Sequence, residues 1–381
     1  MTIDEDKISD ISPFEKFDSA NKIVIDKSDK IILPGLIDTH VHLSQWRIRG
    51  SYKSDLLEWL ATYTFPEEER FFNLEYARIV TKEFFSNLIA AGTTTATIYV
   101  TVSQKATNIA FEQASKLNYR ALIGKVCMDR NCPPALLEKT DTSFEQSVEL
   151  CQQWDNVANL NYVFTPRFAP VCSSALMSKI GNYAQAHNKY IQTHLSENRN
   201  EVALVKELFP QASSYTDVYR QCQILGSKTI MGHAIHLTDN EINMLIETDT
   251  KLAHCPDSNL FLKSGRFLYK KLVDKGLIVG LGSDVAGGTC LDMFYHMKMA
   301  NYTQTDGSVG VHEAFYLATL GGAATLSKAD EIGSITAGKK ADFLVVNLDN
   351  RDGVEEMLSE LIFVKGKEAI EEVYCGGEKL K

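Results

Sequence analysis

The sequence predicts an α/β protein, a distorted (β/α)8 TIM barrel with a small β-sandwich domain built from both chain ends. Short apolar, β-branched runs alternate with longer stretches of helical period, which is the pattern of repeated βα units. A barrel with a small appended domain also accounts for all 381 residues. We place the barrel at residues 34–331, and the two parts of the small domain at residues 1–33 and 332–381.

The composition supports a large folded core, since 44% of the residues are hydrophobic and 23% are charged. Eight runs are the candidate barrel strands, namely residues 36–42, 93–99, 120–127, 162–166, 190–194, 229–233, 251–254 and 278–284. The clearest helix follows the first run and ends at Gly92. Its core stripe recurs every four residues, at Phe72, Tyr76, Val80, Phe84 and Leu88.

Three further segments carry predictions. A second helix is expected after Glu197, with Val202 and Val205 on its apolar face and Pro210 at its end. Residues 23–33 and 338–381 are strand-like and are expected to pair in the small domain. We expect residues 4–17 to be poorly ordered.

Charge and cysteine usage exclude several classes of function. A formal charge of −10 disfavours a nucleic acid or an anionic membrane as partner, and a small molecule fits better. The chain shows neither a secretory h-region nor an apolar run long enough to span a bilayer, so we expect a cytoplasmic protein. The eight dispersed cysteines form no Cys-x-x-Cys pair and are expected to be free thiols.

Most of the chemistry-bearing residues stand at the ends of predicted strands. They are His42, His194, His233, His254 and Asp284. In a barrel these ends meet at one rim, where active sites are built. Imidazoles that are merely satisfied in the core are the competing interpretation, but four strands ending on histidine favour one shared site.

His40 and His42 are the first candidate metal ligands. They are two residues apart, so on a strand both side chains point to the same face, and two imidazoles can share one cation. Asp284 ends the last predicted strand and can complete the ligand set while accepting a proton from metal-bound water. A turn-capping role is the alternative for Asp284.

His194 and Glu197 stand where a strand gives way to a helix. A catalytic zinc keeps one coordination position open for water, and a carboxylate beside that water can move its proton to the substrate. An ordinary helix-start acid is the alternative for Glu197. His233 is suited to donate a hydrogen bond to the attacking oxygen, or is a buried structural histidine. His254 is interpreted as supporting or structural.

The runs that carry these residues resemble the amidohydrolase superfamily and, most closely, its guanine deaminase family. They are PGLIDTHVH (34–42) with Ser44 and Gln45, TPRF (165–168), HLSENR (194–199), HCPDSN (254–259), GSDVAGG (282–288) and LATLGG (317–322). The resemblance covers the chain from about Ile31 onwards. The family usually carries more residues than the 33 that precede Pro34 here, which leaves the completeness of the small domain open.

The resemblance implies specific roles and a reaction. Zinc, or iron, is held by His40, His42, His194 and Asp284, with Glu197 as proton shuttle and His233 supporting the water. Guanine is bound by Gln45, Arg167 and Phe168 together with His194 and Glu197. The implied reaction, part of purine catabolism, is hydrolytic deamination of guanine to xanthine and ammonia by a zinc-activated water. The family also implies a homodimer.

Two alternatives are open at this point. One is a related enzyme that acts on another aminated ring, such as 8-oxoguanine, cytosine or a triazine; Arg167 and Gln45 count against it because polar groups on a ring edge discriminate strongly. The other is a catalytically silent barrel used for binding. It is disfavoured because every expected metal ligand is present.

Overall fold

The computed structural model describes residues 1–14, 23–349 and 353–381. The strands are β1 (Thr2–Asp4), β2 (Lys7–Asp10), β3 (Ile31–Pro34), β4 (Leu36–His42), β5 (Thr93–Tyr99), β6 (Arg120–Gly124), β7 (Val126–Cys127), β8 (Leu160–Pro166), β9 (Tyr190–Leu195), β10 (Thr229–His233), β11 (Lys251–His254), β12 (Val279–Leu281), β13 (Phe343–Val346), β14 (Ile370–Cys375) and β15 (Glu378–Lys379). The helices are α1 (Leu56–Trp59), α2 (Phe65–Glu69), α3 (Leu74–Ala90), α4 (Gln104–Lys116), α5 (Thr140–Trp154), α6 (Ser174–His187), α7 (Arg199–Leu208), α8 (Tyr215–Gln221), α9 (Asp239–Glu247), α10 (Pro256–Phe261), α11 (Tyr269–Asp274), α12 (Met293–Thr303), α13 (Val311–Leu317), α14 (Leu320–Thr325) and α15 (Val354–Glu360).

The predicted barrel is confirmed. Its parallel strands follow the order β4-β5-β6-β8-β9-β10-β11-β12, and β7 is a short extension that pairs with β8. The last strand returns to the first: the Thr39 hydroxyl donates to the Leu281 carbonyl at 3.0 Å, and the Asp284 N–H donates to the His40 carbonyl at 2.8 Å. Because the strands are parallel, their carboxyl ends share one rim.

Three local predictions were wrong. The run 120–127 is split at Lys125, whose buried ammonium group is paired with Glu138. The run 278–284 is a strand only over Val279–Leu281, and Asp284 at the end of that run has a φ of +48° rather than an extended backbone. Phe72 precedes α3, which begins at Leu74, and its side chain is 51% exposed rather than part of the core stripe.

A small antiparallel sheet flanks the barrel and joins the two chain ends, as predicted. Its strand order is β15-β14-β13-β3, and β3 pairs with β13 in the register Leu33 to Leu344. Only the end of the run 23–33 is a strand, however. Ile23 and Ile25 are exposed and lie outside the paired strands.

The front of the chain differs from the expectation of poor order. Residues 4–10 belong to an antiparallel hairpin of β1 and β2, and Ile8 is buried against Phe343 and Val345 of the small sheet. The Ile8 N–H donates to the Lys339 carbonyl at 2.8 Å, which attaches the hairpin to that sheet. The remainder of the expectation, residues 15–17, lies outside the described residues.

The eight cysteines lie within the described residues and carry free thiols, as predicted. In the described part of the chain, no helix has the length and apolar character that crossing a membrane requires.

A buried ion pair connects the barrel to the small sheet. Arg120 begins β6, and its Nε lies 2.8 Å from Oδ2 of Asp342, which also accepts the Gly376 N–H at 2.7 Å. Removing one partner of such a pair leaves an uncompensated buried charge. This contact therefore couples the folding of the two parts.

We expect Asp342→Asn to lower the free energy of unfolding by about 3–5 kcal/mol, because Arg120 would keep its charge without a counterion. The matched control is Glu83→Gln, which breaks the exposed Arg47–Glu83 pair. It should cost less than about 1 kcal/mol. Thermal and urea unfolding midpoints followed by circular dichroism give the comparison, and equal shifts for the two variants would contradict the structural role of Asp342.

Candidate metal centre and active site

Three imidazoles and one carboxylate converge at the barrel rim. One ligand atom from each of His40, His42, His194 and Asp284 lies within 4.8 Å of the other three. Oδ1 of Asp284 is 3.3 Å from Nε2 of His40 and 3.2 Å from Nε2 of His42. Nε2 of His194 is 3.2 Å from Nε2 of His42. The structure thus brings together all four residues that the sequence analysis singled out as ligands.

The barrel strands determine this convergence. His40 and His42 alternate with Val41 on β4, so both reach the same side of the strand. Gly232 on β10 leaves room for His40, because a Cβ there would lie 2.6 Å from the His40 Cε1. Asp284 follows β12, and its positive φ turns its side chain back toward β4.

The imidazoles are held in the neutral form that binds metals. Burial lowers the pKa of His42 to about 3, and burial also lowers the pKa of His40 and His194. Nδ1 of His194 lies 2.7 Å from the Arg167 carbonyl oxygen, so it donates there and leaves the Nε2 lone pair facing the cluster. Burial raises the pKa of Asp284, but the close approach of His40 and His42 outweighs this effect and holds that pKa well below its usual value.

These residues fit a transition-metal ion. Nε2 of His40 is buried without a hydrogen-bond partner, and it lies beside an anionic oxygen and two further imidazoles. Imidazole nitrogens with one carboxylate oxygen form a donor set typical of catalytic zinc. A second possible grouping replaces His42 and His194 by His233 and Cys255 around the same His40 and Asp284. Burial of Cys255 raises the pKa of its thiol well above the ordinary value, which disfavours the thiolate that would bind a metal. The first set is therefore favoured as the ligands.

Glu197 lies beside the cluster and is 3% exposed. Its Oε1 accepts a hydrogen bond from the Ser264 hydroxyl at 3.1 Å, and its Oε2 is 3.4 Å from Nε2 of His233. Burial, with the charge of Asp284 as a further cause, raises the pKa of Glu197 to about 8. The Glu197 backbone is held as well, because its N–H donates to the Glu201 carboxylate at 2.8 Å.

His233 stands between the two carboxylates. Its Nε2 is 3.4 Å from Oε2 of Glu197 and 3.6 Å from Oδ2 of Asp284. Its Nδ1 lies 2.8 Å from Oδ1 of Asn259 and donates to it in this amide orientation. A neutral His233 therefore offers an acceptor at Nε2, and it donates there only when the ring carries a second proton.

A cavity opens directly onto the metal-ligand cluster. The predicted base-binding residues Gln45, Arg167 and Phe168 line it together with His194 and Glu197. Gln45 lies in the turn Leu43–Ile48 that follows β4, whereas Arg167 and Phe168 follow β8. The structure thus places all five predicted substrate-binding residues around one space.

Apolar side chains also line this cavity. They are Leu56, Trp59 and Leu60 from the segment after β4, and Leu262. Polar groups beside apolar walls match the usual anatomy of a small-molecule site.

Several residues at the site were missed by the sequence analysis. Glu68, Ser264 and Asn259 contact predicted site residues, yet each sits in a loop or helix with no distinctive spacing. Of these three residues, only Asn259 lies in one of the runs that carry the family resemblance, since it ends the run 254–259. His254 is buried and stacked on Phe267 with 4.4 Å between ring centroids. It lies outside both possible metal groupings found among the described residues.

Comparisons with known proteins agree with this geometry. The amidohydrolase family matches residues 31–380. The guanine deaminase of Escherichia coli (strain K12) is 42% identical over 326 residues, which are 85% of this chain and 74% of that protein. A solved guanine deaminase from C. acetobutylicum with bound guanine in the active site is 32% identical, has a TM-score of 0.93 and is aligned over 99% of this chain and 93% of that one.

A more distant structure shows how far the likeness extends. An adenosine deaminase from Xanthomonas campestris with bound zinc is 25% identical, has a TM-score of 0.87 and is aligned over 99% of this chain and 87% of that one. The family match spans nearly the whole chain and agrees with the barrel and with the ligand cluster at its rim. The chain belongs to the amidohydrolase family.

Proposed function

We propose that this protein is a guanine deaminase, which hydrolyses guanine to xanthine and ammonia. The observation that carries the proposal is the cavity in which Gln45, Arg167 and Phe168 face the His/Asp cluster and Glu197. Curated relatives and a solved structure with the same activity, aligned over most of the chain, support it.

We assign zinc as the resident metal, with His40, His42, His194 and Asp284 as its ligands. The donor set suits zinc, and the zinc in the related adenosine deaminase structure supports this choice over iron. When bound, zinc supplies Lewis-acid activation of water at neutral pH. The metal ligands are fixed by the barrel strands, so the chain needs little rearrangement to present them.

Proton transfer falls to the residues around that water. Asp284 accepts a proton from the attacking water, and Nε2 of His233 orients the water by accepting a hydrogen bond from it. Glu197 carries a proton near neutral pH because of its burial. It gives this proton to a ring nitrogen as the water oxygen attacks C2. The Glu197 carboxylate then takes up the hydroxyl proton of the C2 adduct and passes it to the amine, so that the C2–N bond breaks with release of ammonia and C2 becomes a carbonyl. The proton held by Asp284 returns to Glu197 and restores the starting state.

Recognition of the base uses side chains whose chemistry complements a purine edge. Arg167 donates to acceptors of the ring, the Gln45 amide offers both a donor and an acceptor, and Phe168 presents an apolar face. By binding the ring edge, these groups hold C2 toward the cluster and so place it for attack by the water.

Two broader assignments accompany this function. A cytoplasmic location is supported by the eight free thiols, because such cysteines persist in reducing compartments. The homodimer implied by the family is a proposal that light scattering coupled to size-exclusion chromatography tests directly.

Zinc-loaded protein should consume guanine and release ammonia in equal amount. The fall in guanine absorbance and an enzymatic ammonia assay measure the two sides of the reaction. A panel with 8-oxoguanine, cytosine, adenine and a triazine sets the specificity. Turnover of another ring without turnover of guanine would replace the proposed substrate.

His194→Asn should reduce bound zinc from about one equivalent to a small fraction, because it removes one of four ligands. Metal content after dialysis, measured by mass spectrometry, and the thermal midpoint with and without added zinc give two readouts besides activity. His187→Asn is the control, since His187 is exposed on α6. Full zinc occupancy in His194→Asn would remove His194 from the ligand set.

Glu197→Gln should retain zinc and lower kcat for guanine by about 100- to 10,000-fold, the usual contribution of a general acid–base group. Glu207→Gln, on the exposed side of α7, should behave as the unmodified protein. Near-normal kcat in Glu197→Gln would show that another group moves the proton.

A further inference from the structure

Glu68 lies directly behind the base-binding residues. It belongs to α2, in the segment after β4, and its side chain is fully buried. Both carboxylate oxygens accept hydrogen bonds from Nη1 of Arg167, at 2.7 and 2.8 Å. Oε1 also lies 3.4 Å from Nε2 of Gln45. Glu68 is outside the set of residues that line the cavity, so it acts on a bound ring through Arg167 and Gln45.

The contacts of Glu68 settle how these two side chains face the cavity. The guanidinium group has five N–H donors, and Glu68 engages only those on Nη1, which leaves the others for the ring edge. The Gln45 amide is held at both ends, because its Oε1 accepts the Ala286 N–H at 3.3 Å while its Nε2 faces Glu68. The Glu68 carboxylate therefore orients both polar side chains that are proposed to bind the base, Arg167 and Gln45.

The charge of Glu68 matters as much as its geometry. Arg167 is only 2% exposed, and a buried guanidinium without a counterion is strongly disfavoured. With Glu68 ionised, the pair is neutral overall, and the base subsite presents hydrogen-bond donors without a net positive charge. Such a subsite favours a neutral ring over an anionic ring of the same shape.

We propose that Glu68 is the positioning residue of the base subsite, fixing Arg167 and Gln45 and making the site select a neutral purine over its anionic product. The inference rests on the proposed function. Xanthine loses a ring proton more readily than guanine does, so at mildly alkaline pH part of the product is an anion. The carboxylate of Glu68 then disfavours rebinding of that anion and aids its release.

The test compares Glu68→Gln with the unmodified enzyme and with Glu67→Gln. Glu67 precedes Glu68 on α2 and is also buried, but its carboxylate faces Arg70 and Tyr76 instead of the cavity. Guanine turnover and inhibition by xanthine are measured by ammonia release at neutral and mildly alkaline pH. Glu68→Asp is the second variant, because it keeps the charge and so preserves the fold if the amide does not.

In Glu68→Gln, KM for guanine should rise about tenfold or more while kcat changes less, as expected for loss of charge-assisted hydrogen bonds that act in binding. Relative to guanine, xanthine should bind better by about tenfold at alkaline pH, because Arg167 then keeps its charge uncompensated. Glu68→Asp should fall between, and Glu67→Gln should leave both constants unchanged.

Two results would overturn the inference. One is an unchanged KM in both Glu68 variants. The other is an equal loss of guanine and xanthine binding at every pH, which a purely structural role would produce. Absence of guanine turnover in the unmodified zinc enzyme would instead refute the proposed function, so the two failures are distinguishable.

Discussion

The buried carboxylate of Asp38 holds the first barrel strand against the segment that follows the last one. Its Oδ1 accepts the Ser283 N–H at 2.9 Å and the His40 N–H at 3.2 Å, and Oδ2 accepts the Ser283 hydroxyl. Since His40 and Asp284 are adjacent to these anchor points, the metal-ligand cluster depends on this closure.

Burying several charged groups at one rim costs free energy, and this cost is reduced in a different way for each of them. Arg167 is compensated by Glu68, and Glu197 avoids a full charge because its pKa is raised to about 8. Asp284 remains ionised among neutral imidazoles, an arrangement that a cation at the cluster would stabilise. The same low polarity that makes these charges costly strengthens their effect on a bound substrate.

Much of this site could be predicted from the sequence, because residues at the carboxyl ends of parallel barrel strands lie at the same rim even when they are far apart along the chain. Histidines at the ends of several predicted strands indicated one rim, and the spacing of His40 and His42 indicated one face. The local backbone was not readable: the left-handed conformations of His233 and Asp284 depend on tertiary contacts rather than on propensity. Glu68 was missed for a related reason, since its partner Arg167 is distant along the chain and nothing in α2 marks a buried acid.

The proposed metal ligands and the proposed base-binding residues lie on the same short connections, which would keep the bound ring aligned with the cluster. Gln45 follows His42 by three residues, and Arg167 lies just after β8, the strand beside the one that carries His194. Moreover, the Arg167 carbonyl accepts the His194 Nδ1–H, so the residue proposed to bind the base also orients a proposed metal ligand. A displacement of the base pocket by about 1 Å would cost much of the rate. Building both functions on the same short connections restricts such a displacement, because neither can move without the other.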